Sequence, residues 1–247
     1  MYALKVVQAL GPIDVKNVRR DSFLRWMVII PLGLAVAIRW VFPELIARLE
    51  PLVPFAITPY YQPIVGYGLL LLTPILIGMV IGFLLLDQND DHTLTALQIT
   101  PLSLRGYMLY RLAVPSLISL FVTIIAMPIA GVNTFGLIEI IMAALAAAPL
   151  APLFALFLAT FAQNKVQGFA LMKGASIFFI IPIIAYFVQT NWQLAFGIAP
   201  TYWPAMFYWS LTTGQTQAWL YFVVGIICQA VLLLVLLQRF ERVAYRS

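Results

Sequence analysis

Charge is what this sequence has least of. Only 9% of its 247 residues are charged, and 63% are hydrophobic. A soluble domain carries roughly a quarter charged residues, so that class is excluded. There is one histidine and one cysteine, His92 and Cys228. Counts that low exclude a zinc site built from Cys and His, and they allow no internal disulfide. Serine chemistry inside a membrane needs a base beside a buried serine, and His92 lies outside every apolar run. No G-x-x-x-x-G-K-[ST] loop is present, so the chain does not bind and hydrolyse ATP by itself. Mid-membrane ionisable groups, which ion-coupled carriers and channels use, are also scarce. Glu139 is the one carboxylate close to a span, and an interfacial position near the outer end of the fourth span is its plainer reading.

What the sequence has instead is long unbroken apolar runs, with mean hydropathy +0.99. Outer-membrane barrels show short alternating segments. The pattern here predicts an all-α membrane protein with six transmembrane helices in a single domain, residues 1–247. The spans fall at about 24–42, 64–86, 112–130, 137–161, 174–188 and 219–237. The first apolar run follows a polar, charged leader, so no signal peptide is expected. In residues 1–23, Val6, Val7 and Leu10 beside Lys5 predict an interfacial helix ended by Gly11-Pro12; a frayed basic leader is the alternative. Pro43 to Gln62 reads as a proline-rich outer loop, with Glu44, Arg48 and Glu50 on a short helix. The second span carries Gly78-xxx-Gly82, a spacing that lets helix backbones approach closely, though glycine is also common in membrane helices. Pro149 and Pro152 predict a bend in the fourth span, and residues 162–173 a short inner loop.

Residues 189–218 carry no charge and are crowded with aromatics, among them Trp192, Tyr202, Trp203, Phe207, Tyr208 and Trp209. Gly197, Pro200 and Pro204 interrupt them, so a re-entrant helical hairpin is expected rather than a clean span. A plain aromatic belt at headgroup depth is the alternative.

Six spans put both termini on one side. Twelve of the 14 Lys and Arg residues then share that side, with only Arg39 and Arg48 opposite. The net charge of +5 is therefore a topology signal, not a sign of nucleic-acid binding. It places both termini in the cytoplasm and the chain in the inner (cytoplasmic) membrane, surrounded by lipid.

Residues 87–111 form the long polar interruption on that side. Asp87, Asp90 and Asp91 fall within five residues. Thr93 then opens a short amphipathic pattern with Leu94 and Leu97 apolar, and Thr100-Pro101 closes it. Carboxylates just before a helix start are favoured by its free N–H groups and dipole. A short surface helix, Thr93 to about Ile99, is expected, suited to receive a push from a soluble partner.

This segment resembles the permease subunits of ABC transporters of the type-2 exporter class. There the second span is followed by an acidic group, Gly-Thr-Leu, a leucine pair and Thr-Pro-Leu-Ser. Here Asp90-Asp91, Thr93-Leu94, Leu97 and Thr100-Pro101-Leu102-Ser103 stand in those places, with His92 where glycine is usual. The basic leader ending at Asp21 and the segment Pro200 to Pro204 look closest to the branch named for fluoroquinolone or drug export. The resemblance implies that the segment is a coupling helix docking in a separate ATPase subunit. The coupling residues would be Asp87, Asp90, Asp91, Thr93, Leu94, Leu97, Thr100, Pro101 and Leu102. It also implies a second permease subunit, identical or related, and no cofactor beyond the ATP held by the partner. The second and fifth spans would line the pathway, offering Leu72, Ile75, Met79 and Phe83 on one side and Phe178, Phe179 and Tyr186 on the other. Tyr202 and Trp203 in the outer re-entrant segment would form the outer gate. Cargo would be hydrophobic or amphipathic and drug-like, and the permease itself no enzyme. Lipid, polysaccharide or haem-related cargo, a stand-alone secondary carrier and a membrane scaffold are the other readings.

Overall fold

The computed structural model describes residues 2–90, 104–132, 135–188 and 190–244. The expected coupling helix lies outside them, as do Asp91, Thr93, Leu94, Leu97, Thr100, Pro101 and Leu102. All regular structure among the described residues is helical. The helices are α1 (Tyr2–Arg20), α2 (Ser22–Trp40), α3 (Phe42–Leu49), α4 (Thr58–Asp90), α5 (Leu104–Ala130), α6 (Leu137–Ala147), α7 (Leu150–Phe161), α8 (Lys165–Ala175), α9 (Ile177–Phe187), α10 (Tyr202–Thr212) and α11 (Ala218–Ala244). Among the described residues, six helical stretches are long and apolar enough to cross a membrane: α2, α4, α5, α6 with α7, α8 with α9, and α11. Short 3₁₀ helices occupy Glu50–Leu52 and Asn191–Ile198.

The core is organised around α4. In its most apolar stretch 89% of residues are buried within the chain, against 72% for α6–α7 and 28% or less for the other four spans. Glycine makes that burial feasible. A Cβ on Gly78 would lie 2.3 Å from the Ala151 carbonyl oxygen, and one on Gly82 would lie 2.8 Å from Leu158. The Gly78-xxx-Gly82 spacing is thus a close-packing seam against α7, where the backbone of Ala151 and Ala155 comes up against the two glycines. The outer spans turn Trp26, Phe121, Ile180 and Val223 outward. In a bilayer such faces meet acyl chains at no hydrophobic cost.

Local chemistry sets the element ends. The Asp21 side chain accepts hydrogen bonds from the Phe23 and Leu24 N–H groups at 2.9 and 3.3 Å, capping α2. Glu50 accepts from the Thr58 hydroxyl at 2.6 Å and from the Ile57 and Thr58 N–H groups, fixing the start of α4. The short outer helix expected around Glu44 and Arg48 is α3, where the two side chains pair at 3.0 Å. Arg39 donates towards the Pro128 and Ile129 carbonyls, 3.4 and 3.5 Å away, at the C-terminal end of α5. The fourth span breaks at Ala148-Pro149, as its prolines predicted. Gln229 of α11, wholly buried, donates to the Ala146 carbonyl next to that break at 3.1 Å.

Two expectations need correction. Gly11-Pro12 does not end the N-terminal helix: α1 runs through it to Arg20. Leu10 and Asp14, on either side of Pro12, are both buried, and that anchoring outweighs the proline's cost of about 3 kcal/mol. Residues 165–173 are not loop but the first turns of α8. Asn164 caps that helix through the Gln167 N–H at 3.0 Å, and Gly168 and Met172, four apart, are buried. The polar residues that suggested a loop form its exposed face.

Candidate functional site

The end of α4 nearest the basic residues is a hub. Two consecutive side chains, Asp87 and Gln88, each reach a cation, and each cation reaches a carboxylate of the N-terminal region. Asp87 pairs with Lys165 at 3.0 Å, and Lys165 pairs with Asp21 at 3.2 Å. Gln88 accepts a 2.7 Å hydrogen bond from the Arg111 guanidinium, which also donates to both oxygens of Asp14 at 2.8 and 3.3 Å. Tyrosines close the second chain: Tyr107 donates to Gln88 at 2.8 Å and Tyr110 to Asp14 at 2.7 Å. The Arg111 guanidinium lies 5.2 and 5.3 Å from the centres of those two rings.

The two chains differ in exposure. Arg111 and Asp14 side chains are 2% and 9% exposed, whereas Lys165 keeps 38% and Asp87 37%. The Asp21 carboxyl feels opposed influences. Burial raises its pKa, but the Leu24 N–H, the Lys165 ammonium and the Phe23 N–H outweigh burial and hold it below the usual carboxylate value.

Of the expected coupling residues, the structure shows the side chain of Asp87 alone, turned inward to Lys165. Sequence reasoning counted Arg111 and Lys165 only as charges and passed over Asp14, Gln88, Tyr107 and Tyr110. Asp14 one turn after the apolar Leu10 on a single helix face was the available signal.

The expected pathway residues fall on α4 and α9. Leu72 and Met79 are half-buried and seven apart on one face of α4, while Ile75 and Phe83 are buried in the core. The Phe83 ring packs on Phe169 at 4.8 Å and Phe23 at 5.8 Å, over Gly168. Phe178, Phe179 and Tyr186 are half-buried. Phe178 meets Phe154 at 6.4 Å. An aromatic column joins α9, α4 and α10: Phe179 to Tyr67 at 5.4 Å, Tyr67 to Trp209 at 5.0 Å, Trp209 to Tyr186 at 4.7 Å. The Tyr67 hydroxyl donates to the Phe179 carbonyl, so α4 and α9 are brought together. Beyond Tyr186, at the end of α4 that begins with Thr58, lies a cavity of about 660 Å³. Its walls include Tyr61, Gln62, Phe135 and Thr213, and among the described residues that line it none is charged.

The segment after α9 consists of the 3₁₀ helix and α10. Tyr202, Phe207 and Tyr208 of α10 are at most 1% exposed, so these aromatics face the protein core rather than form a plain surface belt. Trp203 is wedged between glycines: a Cβ on Gly197 or Gly225 would come within 2.8 Å of it. Its indole N–H donates to the Gly197 carbonyl at 2.9 Å.

A family model described as fluoroquinolones export permease protein Rv2686c-like matches residues 14–237. Two curated relatives, the fluoroquinolones export permease proteins MT2760 and Rv2686c, come from Mycobacterium tuberculosis strains CDC 1551 / Oshkosh and ATCC 25618 / H37Rv. Each is 30% identical over 239 residues, covering 96% of this chain and 94% of the relative. No solved structure matches. With six apolar spans and a match that runs over nearly the whole chain, this multi-pass membrane protein belongs to the Rv2686c-like family of fluoroquinolones export permeases.

Proposed function

We propose that this chain is the permease subunit of an ATP-driven ABC exporter, paired with a second permease and powered by separate ATPase subunits. The observation that carries the reading is the hub at the end of α4. The most buried span ends in two side chains that grip α5 and α8 directly and reach Asp14 and Asp21 through Arg111 and Lys165, and the polar segment 91–103 follows that span in the sequence. A push received by that segment has a direct route into the core. The basic residues crowded at this end support a cytoplasmic orientation for it and for both termini.

Leu94 and Leu97 are three apart and share a face when helical. They are the apolar anchor for an ATPase cleft, with Asp90 and Asp91 at the positive end of the helix. Leu72, Met79, Phe178, Phe179 and Tyr186 line the route for cargo, and the segment carrying Tyr202 and Trp203 closes it on the outside. These walls carry no charge, so binding is area-driven and loosely selective, which suits a hydrophobic or amphipathic drug. The names of the relatives point to the same class of cargo.

The test is the double change Leu94→Ala, Leu97→Ala. Each buried leucine contributes about 1.5–3 kcal/mol, so losing two weakens docking by two or more factors of ten. Expression and insertion survive, because neither residue lies in a span. Co-purification of an ATPase and cargo-stimulated ATP hydrolysis are lost. Full transport and unchanged ATPase recovery in the double variant would reject this reading in favour of a stand-alone carrier.

A further inference from the structure

We propose that Arg111, with Gln88 and Asp14, is a positioning clamp that makes α1, α4 and α5 move as one body during transport. The proposal rests on the export reading above and adds residues to which no role has been given. The clamp joins three parts of the chain far apart in sequence: residue 14, residue 88 and residues 107–111. Gln88 lies near the end of α4 and Arg111 in the first turns of α5, so they join the two helices that flank positions 91–103 in the sequence.

The chemistry of the clamp differs from the rest of the core. The seam of α4 with α7 is a steric contact, glycine against the backbone of Ala151 and Ala155. The clamp is directional. One planar fork reaches a carboxylate and an amide at once, and both acceptors take a second bond from a tyrosine. Shear between α1, α4 and α5 would break several of these bonds together and strand a guanidinium that is 2% exposed. Stability alone does not account for such a device, because well-packed apolar residues replace buried ion pairs without loss in many proteins. What apolar residues cannot supply is a fixed register. The neighbouring Asp87–Lys165–Asp21 chain, half-exposed, is the weaker and more readily exchanged of the two links.

The experiment compares wild type with the apolar pair Asp14→Leu, Arg111→Met, which leaves no unpaired charge. Two readouts are taken on protein that inserts and unfolds at the wild-type temperature. The first is trypsin cleavage of detergent-solubilised protein after Lys16, Arg19 and Arg20, which reports release of α1. The second is efflux of a fluoroquinolone from cells expressing the transporter. The clamp predicts cleavage at least ten-fold faster and efflux at least ten-fold lower. Wild-type values for both overturn it. Should wild type itself export nothing while the variant still loses α1 protection, the clamp stands and the export reading fails. If the apolar pair does not insert, Gln88→Met decides the matter. It removes the neutral arm and keeps the ion pair, so efflux falls while α1 stays protected; unchanged efflux overturns the proposal.

Discussion

At the scale of single residues, glycine separates two kinds of position in the same membrane helices. A Cβ on Gly78 would meet the Ala151 carbonyl at 2.3 Å, and backbone cannot rotate away as a side chain can. A Cβ on Gly33 of α2 meets nothing within 4 Å. Gly78→Val should therefore prise α4 from α7, at an overpacking cost of about 1–3 kcal/mol. Gly33→Ala should be neutral or stabilising by up to about 1 kcal/mol, through helix propensity. Unfolding temperatures of the two purified variants check this; equal shifts would mean that the seam does not hold the core. The spacing of Gly78 and Gly82 was legible in the sequence, but not its partner. Nothing local in an apolar run says that Ala151 and Ala155 of α7 face it, because every neighbouring residue is apolar too.

At the scale of elements, caps and charges decide where helices start. Asp21 ends the α1–α2 corner, caps α2 and pairs with Lys165. Asp21→Ala should cost about 1 kcal/mol from the cap alone. Asp21→Asn should keep most of the cap and lose the ion pair. The pH dependence has a definite sign. The folded carboxyl titrates below its unfolded value, near 3.9, so its contribution is complete above that value and fades as pH falls through the lower folded one. Between neutral pH and about 5 the difference in unfolding temperature between wild type and Asp21→Ala should stay constant. Below about 4 it should shrink; a difference that grew on acidification would contradict the assigned direction. The sequence showed which stretches are helical because periodicity and apolar length are local. It misjudged Pro12 and the start of α8, where burial of Leu10, Asp14, Gly168 and Met172 overrides a local break signal. The hub stayed hidden for the same reason: Asp14, Gln88 and Arg111 meet only in three dimensions.

At the scale of the whole molecule, charge asymmetry and packing tell one story. The α4 helix runs from an uncharged cavity at one end to a knot of ion pairs at the other. Basic residues gather at the second end, and the proposed orientation gives that end to the cytoplasm, by the rule that loops rich in Lys and Arg stay inside. In that proposed orientation the residues around α10 lie outside, next to the cavity walled by Thr213. A small tag inserted after Thr213 sits at an exposed turn where Gly214 has a φ of 65°. It should be labelled by an impermeant reagent in intact cells. A fluorescent protein fused after Ser247 should fluoresce, as it does when it folds in the cytoplasm. Both outcomes together fix an odd number of crossings between Thr213 and the C-terminus and place the cavity outside. Labelling at Thr213 that needs permeabilised cells would invert the molecule. It would also send the hub, and any partner pressing on it, to the wrong compartment for ATP, and the proposed powering of this permease would fall with it.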